Sequence, residues 1–260
     1  MAIRFQEALA QHFLIPGPRP ELNGVGTATL LCWIRLDPSS FPLAAGARPW
    51  VMFANGTTLG SKRFGASVDG GFPGFVFMAQ HAQKVSDANP QGDAVTVVNM
   101  PPTNPSNEFG QGGNVAYFVE IDLASTGSAR IHGGPADGVS GGSNSTGGGA
   151  YNGALPANSS LGAAIGSLAD GLGPHFEGEL EDLRLYSRKL TFIEQIELVY
   201  REGNDRGHDL DSTLLMRWPM QGVGVAGNQV DTIGGVVATA VNAPVYSNMG
   251  KRNRKRNRSG

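Results

Sequence analysis

Three glutamates, Glu177, Glu179 and Glu181, alternate along a stretch whose flanking residues read as a β-strand. On a strand, side chains at i, i+2 and i+4 line one face. Two carboxylates held about 5 to 5.5 Å apart are the machinery of retaining glycoside hydrolysis, one as nucleophile and the other as acid and then base. The surroundings argue against that use. Gly178 interrupts the run, and the next residues of the same parity are Leu183 and Leu185, which carry that face into a core. The expectation is an acidic, solvated strand start with no catalytic residues, and glycoside hydrolase stands as the enzymatic alternative.

Other constellations carry less. Gly222-Val-Gly224-Val-Ala-Gly227 matches the G-x-G-x-x-G of dinucleotide-binding turns, which need a helix to follow. Here Asn228-Gln-Val-Asp231 leads to Gly234-Gly235, so a glycine-rich turn between strands is expected. Gly133 to Gly149 holds eight glycines in 17 residues but no Gly-Lys-Ser/Thr, which makes it a flexible or partner-contacting loop and not a phosphate cradle. The histidines, His12, His81, His132, His175 and His208, have no paired metal-ligand spacing, and Cys32 is the only cysteine. No zinc site and no disulfide follow from that pattern. Asp170, Asp182 and Asp231 would be candidate calcium ligands only by what the resemblance given below implies, since many relatives in that fold class bind calcium through loop carboxylates and carbonyls; nothing local resembles a calcium loop, and turn aspartates account for them. No cofactor is required.

The last ten residues present six basic side chains and no acidic one: Lys251, Arg252, Arg254, Lys255, Arg256 and Arg258. The remainder of the chain has 14 basic against 22 acidic residues, a net −8, although the whole is only −2. Such a tail suits docking into an acidic groove of a neighbouring subunit, since arginine pairs bidentately with carboxylates. It carries no aromatic residue to stack on bases, so sequence-specific nucleic-acid binding is not expected.

The elements that must position these residues are short strands. Glycine contributes 38 of 260 residues and charged residues only 16%, the composition of a chain rich in turns. Period-two alternation marks Thr29 to Leu36, Trp50 to Ala54, Gly74 to His81, Ala94 to Met100, Val115 to Ile121 and Leu214 to Met220. In the last, Leu214, Met216, Trp218 and Met220 share a face, and Pro219 marks a strand end or edge. Thr191 and Glu194 form a capping box that opens a helix near residues 192–202, with Gly203 to end it and Ile193, Ile196, Val199 and Tyr200 as its apolar stripe. Long connections are expected at Gln83 to Asn114 and Gly133 to Gly149. Before Pro16-Gly17-Pro18 an arm reads as helical from Ile3 to Phe13. No stretch reaches the roughly 20 apolar residues of a membrane span, and Met1 to Leu14 lacks the uninterrupted apolar run of a secretory signal. Membrane insertion and export by the general pathway are therefore not expected.

The segment Phe176-Glu-Gly-Glu-Leu-Glu-Asp-Leu-Arg-Leu-Tyr-Ser-Arg-Lys-Leu-Thr, running on to Glu194, Ile196 and Tyr200, resembles the C-terminal signature of LamG and pentraxin-like domains in the concanavalin A-like lectin and glucanase superfamily. That signature reads roughly F-x-G-x-I-D-D-V-R-I-Y-N-R-A-L-S before a short helix. The resemblance implies a late core strand with Leu183 and Leu185 inward and Asp182 and Arg184 on the opposite face. Ala163 to Gly166 and Thr27 to Leu36 resemble neighbouring strands of the family. Glucanases of this fold carry an E-x-D-x-E strand similar to Glu177–Glu181, with Glu179 standing where they have Asp. Where family members have a Trp-His-His-like strand start, this chain has Asn114-Val-Ala-Tyr-Phe-Val-Glu-Ile121, a departure that weakens any inherited ligand site.

The expected architecture is all-β: a two-sheet antiparallel jelly-roll sandwich over residues 22–247 with one short helix. An N-terminal arm (1–21) and a basic C-terminal tail (248–260) extend from it. The expected function is non-catalytic, as a structural or binding component of a phage-like virion, such as a capsid decoration, tail or baseplate protein. Its partners would be other protein subunits and its setting a particle assembled in the host cytoplasm. The alternative is a carbohydrate-binding module or adhesin, recognising a surface glycan at the cell surface or outside the cell.

Overall fold

The computed structural model describes residues 2–17, 20–22, 27–36, 47–55, 62–72, 75–83, 93–100, 115–122, 130–135, 163–167, 171, 175–200, 212–220 and 225–247. These form two antiparallel sheets. The first contains β1 (Ala2–Phe5), β3 (Thr27–Leu36), β8 (Val115–Asp122), β9 (Arg130–Pro135), β11 (Gly178–Tyr186), β12 (Leu214–Trp218) and β15 (Val245–Ser247), in the order β15-β1-β11-β3-β8-β9 with β12 also beside β11. The second contains β2 (His12–Ile15), β4 (Ala47–Asn55), β5 (Lys62–Phe72), β6 (Phe75–Gln83), β7 (Asp93–Met100), β10 (Ala163–Ile165), β13 (Gln229–Val230) and β14 (Val237–Val241), in the order β13-β14-β2-β10-β4-β5-β6-β7. Among the described residues there is one α-helix, α1 (Phe192–Tyr200). The all-β sandwich with a lone short helix is as expected, and the chain's passage from sheet to sheet is the winding of a jelly roll.

Each alternating run anticipated in the sequence coincides with a strand, although β12 stops at Trp218, before Pro219 and Met220, and Gly74 lies outside the described residues. β5 was not anticipated, because Gly65, Gly70 and Gly71 break its alternation, and its eleven residues are held by pairing with β4 and β6 on either side. β7 lies inside the expected Gln83 to Asn114 connection, and the first residues of the expected glycine loop, Gly133 to Pro135, belong to β9. Residues 136–149 and Gly203 are outside the described residues.

The N-terminal arm is corrected outright. Residues 3–13 are not helical: Ala2–Phe5 pairs between β11 and β15, and His12–Ile15 pairs between β10 and β14. A single 3-10 turn, Glu7–Leu9, ended by Ala10 in the left-handed region (φ 50), carries the chain from one sheet to the other. Long-range pairing overrides the weak local helical preference. Ile3 and Phe5 on β1, with Phe13 and Ile15 on β2, show period-two burial that helical spacing had obscured.

Phe5 and Phe13 meet edge to face across the sheets at 5.8 Å, and Phe176 joins Phe5 at 6.1 Å. Such pairs add about 0.5–1.5 kcal/mol to the burial itself. Phe5 packs so closely on Gly166 (φ +89) that a Cβ there would lie 2.9 Å from the ring, a place only glycine can occupy. The register Leu180↔Ile34 and Leu185↔Leu30 puts these side chains with Cys32, Met216 and Trp218 on the inter-sheet face, all fully buried.

The outer face of β3 and β11 is buried too. Ala2, Leu31, Trp33, Tyr186 and Leu214 form a second cluster with Leu190 and with Leu198 of α1. Leu214 therefore does not share the face of Met216 and Trp218 as its spacing suggested. A register shift between Leu185 and Tyr186 turns it outward. The capping box is present: Thr191 N–H donates to Glu194 Oε2 at 2.7 Å, and Glu194 N–H to Thr191 Oγ1 at 3.3 Å. Of the expected stripe, the side chains of Ile196, Val199 and Tyr200 lie outside the described residues. Ile193 is 69% exposed, whereas Gln195 and Leu198 are buried, Gln195 donating to the Leu190 carbonyl.

Candidate functional site

β11 holds the acidic run, and its geometry is set by its neighbours. Along one edge it pairs first with β1, over Gly178 to Leu180, and then with β12, over Leu183 to Tyr186. Asp182 stands at the handover, in the left-handed region at φ 54, its N–H donating to the Pro219 carbonyl at 3.3 Å. Against β3 on the other edge, Glu181 faces Trp33 and Arg184 faces Leu31, so three steps on β11 match two on β3. This is a bulge, and one extra residue inverts the alternation beyond it.

The consequence is a correction. Glu179 and Glu181 share a face with Arg184 and Tyr186, on the α1 side of the sheet, and do not lead into Leu183 and Leu185. Nor are they solvated: Glu179 is 5% exposed and Glu181 6%. Glu177, half-buried just before the strand, accepts the Glu7 N–H at 2.6 Å and so fastens the turn after β1.

Asp182 is the centre of a charge cluster. Its Oδ1 accepts from Arg217 Nε at 2.8 Å, and its Oδ2 accepts from Arg184 at 2.5 Å and from Arg217 at 3.2 Å. Arg184 is 1% exposed, with its guanidinium carbon 6.0 Å from the centre of the Trp33 ring. Two guanidiniums thus pair with the one Asp182 carboxylate, the condition under which its charge can stay buried. Asp182 and Arg184 do project opposite Leu183 and Leu185, as the family resemblance implied.

Cys32 lies close by on the inter-sheet face, fully buried. Burial pushes its thiol well above the ordinary value, and the Asp182 and Glu181 charges push it the same way.

Of the calcium candidates, Asp182 is filled by arginine. Asp231 is filled by the backbone: its Oδ1 accepts the N–H groups of Arg217 (2.6 Å) and Ile233 (3.1 Å), and its Oδ2 that of Gly234 (2.7 Å). Those bonds close the turn between β13 and β14, with no helix after the glycine-rich segment. Asp170 and the tail residues Lys251, Arg252, Arg254, Lys255, Arg256 and Arg258 are outside the described residues. Among the described residues no group of three or more His, Cys, Asp or Glu comes together to hold a metal, and no helix is long and apolar enough to cross a membrane.

One juxtaposition escaped the sequence. His12 on β2 and His175 before β11 bring their rings to 5.1 Å, tilted by 39°. No local spacing could signal a pair so distant in the chain.

With this geometry in hand, the chain was compared with known proteins. The fold is shared with a solved structure. A "putative carbohydrate binding protein" from Bacteroides ovatus superposes with a TM-score of 0.55 over 94% of this chain at 15% identity. The chain spans 61% of that protein's length. The enzymatically active domain of tailspike protein 2 of bacteriophage CBA120 gives a TM-score of 0.48, with 11% identity, over 85% of this chain and 31% of that one, too low to carry an argument. No family model and no curated protein matches the sequence.

Proposed function

We propose that this chain is a non-catalytic binding module of the LamG-like kind, working by protein contact as a surface component of a larger particle such as a phage-like virion. The observation that carries the reading is the character of its exposed apolar surface. The large apolar side chains exposed among the described residues are aliphatic, and four of the six, Val225, Val230, Ile233 and Val237, lie on the C-terminal segment around the β13–β14 hairpin. Val230 and Val237 pair directly across that hairpin. An edge hairpin with paired exposed valines suits contact with another polypeptide. Charge supports the same reading, because the six-cation tail complements the −8 carried by the rest of each copy.

The non-catalytic part rests on the acidic run. Glu179 and Glu181 are only 5% and 6% exposed, and a retaining glycosidase needs both carboxylates open to substrate. The decisive experiment is isolation of the native complex: the chain should copurify in a large particle at fixed stoichiometry. Recovery as a lone monomer would overturn the reading. Hydrolysis of a polysaccharide by the wild-type chain, abolished in Glu179→Gln or Glu181→Gln, would overturn the non-catalytic part.

The second reading is a carbohydrate-binding module, favoured by the fold shared with the Bacteroides ovatus protein. Its mark would be saturable glycan binding by the monomer.

A further inference from the structure

His12 and His175 are built together in a way that neither the sandwich core nor the proposed contact surface requires. On β2, Phe13 and Ile15 turn toward the other sheet, so His12 and Leu14 turn outward. Gly171 sits against the His12 ring and Leu14. His175 is fixed from the opposite direction, because its neighbour Phe176 is plugged into the core against Phe5. These two anchors hold the rings 5.1 Å apart in a layer where His12 is only 5% exposed.

The hydrogen bonding selects one tautomer for His12. Its Nδ1 lies 2.9 Å from the Ala10 carbonyl, which can only accept. Nδ1 therefore carries the proton, and Nε2 is left with its lone pair. A backbone carbonyl on one ring nitrogen is the usual outer support of a metal-binding histidine. His175 Nε2 is itself buried and makes no hydrogen bond, an expense with no return in a ring that only packs.

Gly171 packs closely on the same ring: with φ at +75, a Cβ there would stand 2.8 Å from His12 Nε2, so the position is restricted to glycine. Two imidazoles bound through Nε2 at a tetrahedral angle bring their ring centres about 5 Å apart, which the observed pair matches.

We propose that His12 and His175 form a two-imidazole site for a borderline divalent transition ion of the Zn(II), Ni(II) and Cu(II) class, with water completing the shell. Nitrogen ligands of this kind suit these ions and not calcium or magnesium. The site joins β2 to the segment entering β11, so an ion bound there clamps the two sheets at the corner where the N-terminal strands cross.

The test uses the full chain, stripped with chelator and titrated with Zn(II) by calorimetry and with Cu(II) by electron paramagnetic resonance. The expected result is one equivalent bound, a raised melting temperature, and a Cu(II) spectrum split by two nitrogens. His12→Gln and His175→Gln should each weaken binding at least tenfold and remove one nitrogen from the splitting. His175 is the less buried of the two, so His175→Gln decides the matter if His12→Gln fails to fold, and circular dichroism of both variants establishes which case applies. Binding that is unchanged in His175→Gln would assign the ion to another histidine and overturn the proposal. So would a wild-type chain that binds neither ion below millimolar concentration.

Discussion

Asp182 does two separable things, and substitution distinguishes them. It occupies the left-handed region at φ 54, and its carboxylate accepts from both Arg184 and Arg217. The side chains are 12% exposed for Asp182, 2% for Arg184 and 17% for Arg217. Removing one partner from a buried ion cluster costs about 3–5 kcal/mol, and the lower figure applies here because Arg217 still reaches solvent. A residue with an ordinary Cβ pays about 1–2 kcal/mol more in the left-handed region, which glycine and asparagine tolerate. Asp182→Ala should therefore lose about 4–5 kcal/mol and Asp182→Gly about 3 kcal/mol. Asp182→Asn, which keeps an acceptor oxygen and the backbone tolerance, should lose about 2 kcal/mol. Against a typical domain stability of about 5–15 kcal/mol, these losses are well resolved by equilibrium urea unfolding followed by tryptophan fluorescence, compared at constant m. If alanine proved no worse than glycine, the bulge would not need its left-handed residue. If both asparagine and glycine stayed within about 0.5 kcal/mol of wild type, the charge cluster would be contributing nothing and the reasoning would fail.

Three further outcomes follow from the same structure. Arg188 holds the Glu194 carboxyl down to about 2 in the folded chain; a depressed carboxylate stabilises above its unfolded value near 4.5, and that share is lost as pH falls from there through about 2. Because the pair is partly exposed, 31% for Arg188 and 24% for Glu194, the share is about 1 kcal/mol after screening, and Glu194→Gln should flatten the acid limb of a thermal-melt series by that amount. Cys32, buried and with its thiol pushed up, should react with thiol reagents only at the rate of unfolding, so rapid labelling of the native chain would contradict its placement. Deleting residues 251–260 should leave the melting temperature unchanged and abolish assembly into the particle; normal assembly, or a deficit confined to nucleic-acid retention, would sink the docking role of the tail.

Much of the fold was legible because much of it is locally written. The strand from Thr29 to Leu36 alternates, and the box from Thr191 to Glu194 satisfies its own donors within four residues. What stayed hidden depends on partners far away in the chain. Ile3 to Phe13 fits a helix as well as it fits two strands, and only β11 and β10, more than 140 residues later, choose between them. Ile193 looked like part of the inner stripe of α1, yet it is exposed, and Leu198 is the helix residue that joins Leu190, Trp33 and Tyr186 in the buried cluster.

The acidic run shows most sharply why site chemistry is harder to read than fold. Its parity seemed to carry the glutamates into Leu183 and Leu185, and that inference assumed an unbroken strand. β11 changes neighbours between Leu180 and Leu183, and a strand passing from one partner to another of different register must absorb the mismatch. It does so at Asp182, a residue type that tolerates the left-handed region and can ligate the arginines of both β11 and β12. The inserted residue puts Glu179 and Glu181 on the side of Arg184 and Tyr186, and Leu183 and Leu185 on the core side. An ideal strand would have set the glutamates on the side of the inter-sheet leucines, where nothing balances them. The bulge is thus what makes an acidic strand compatible with a buried position, and the same device removes from solvent the carboxylates that a hydrolase would need.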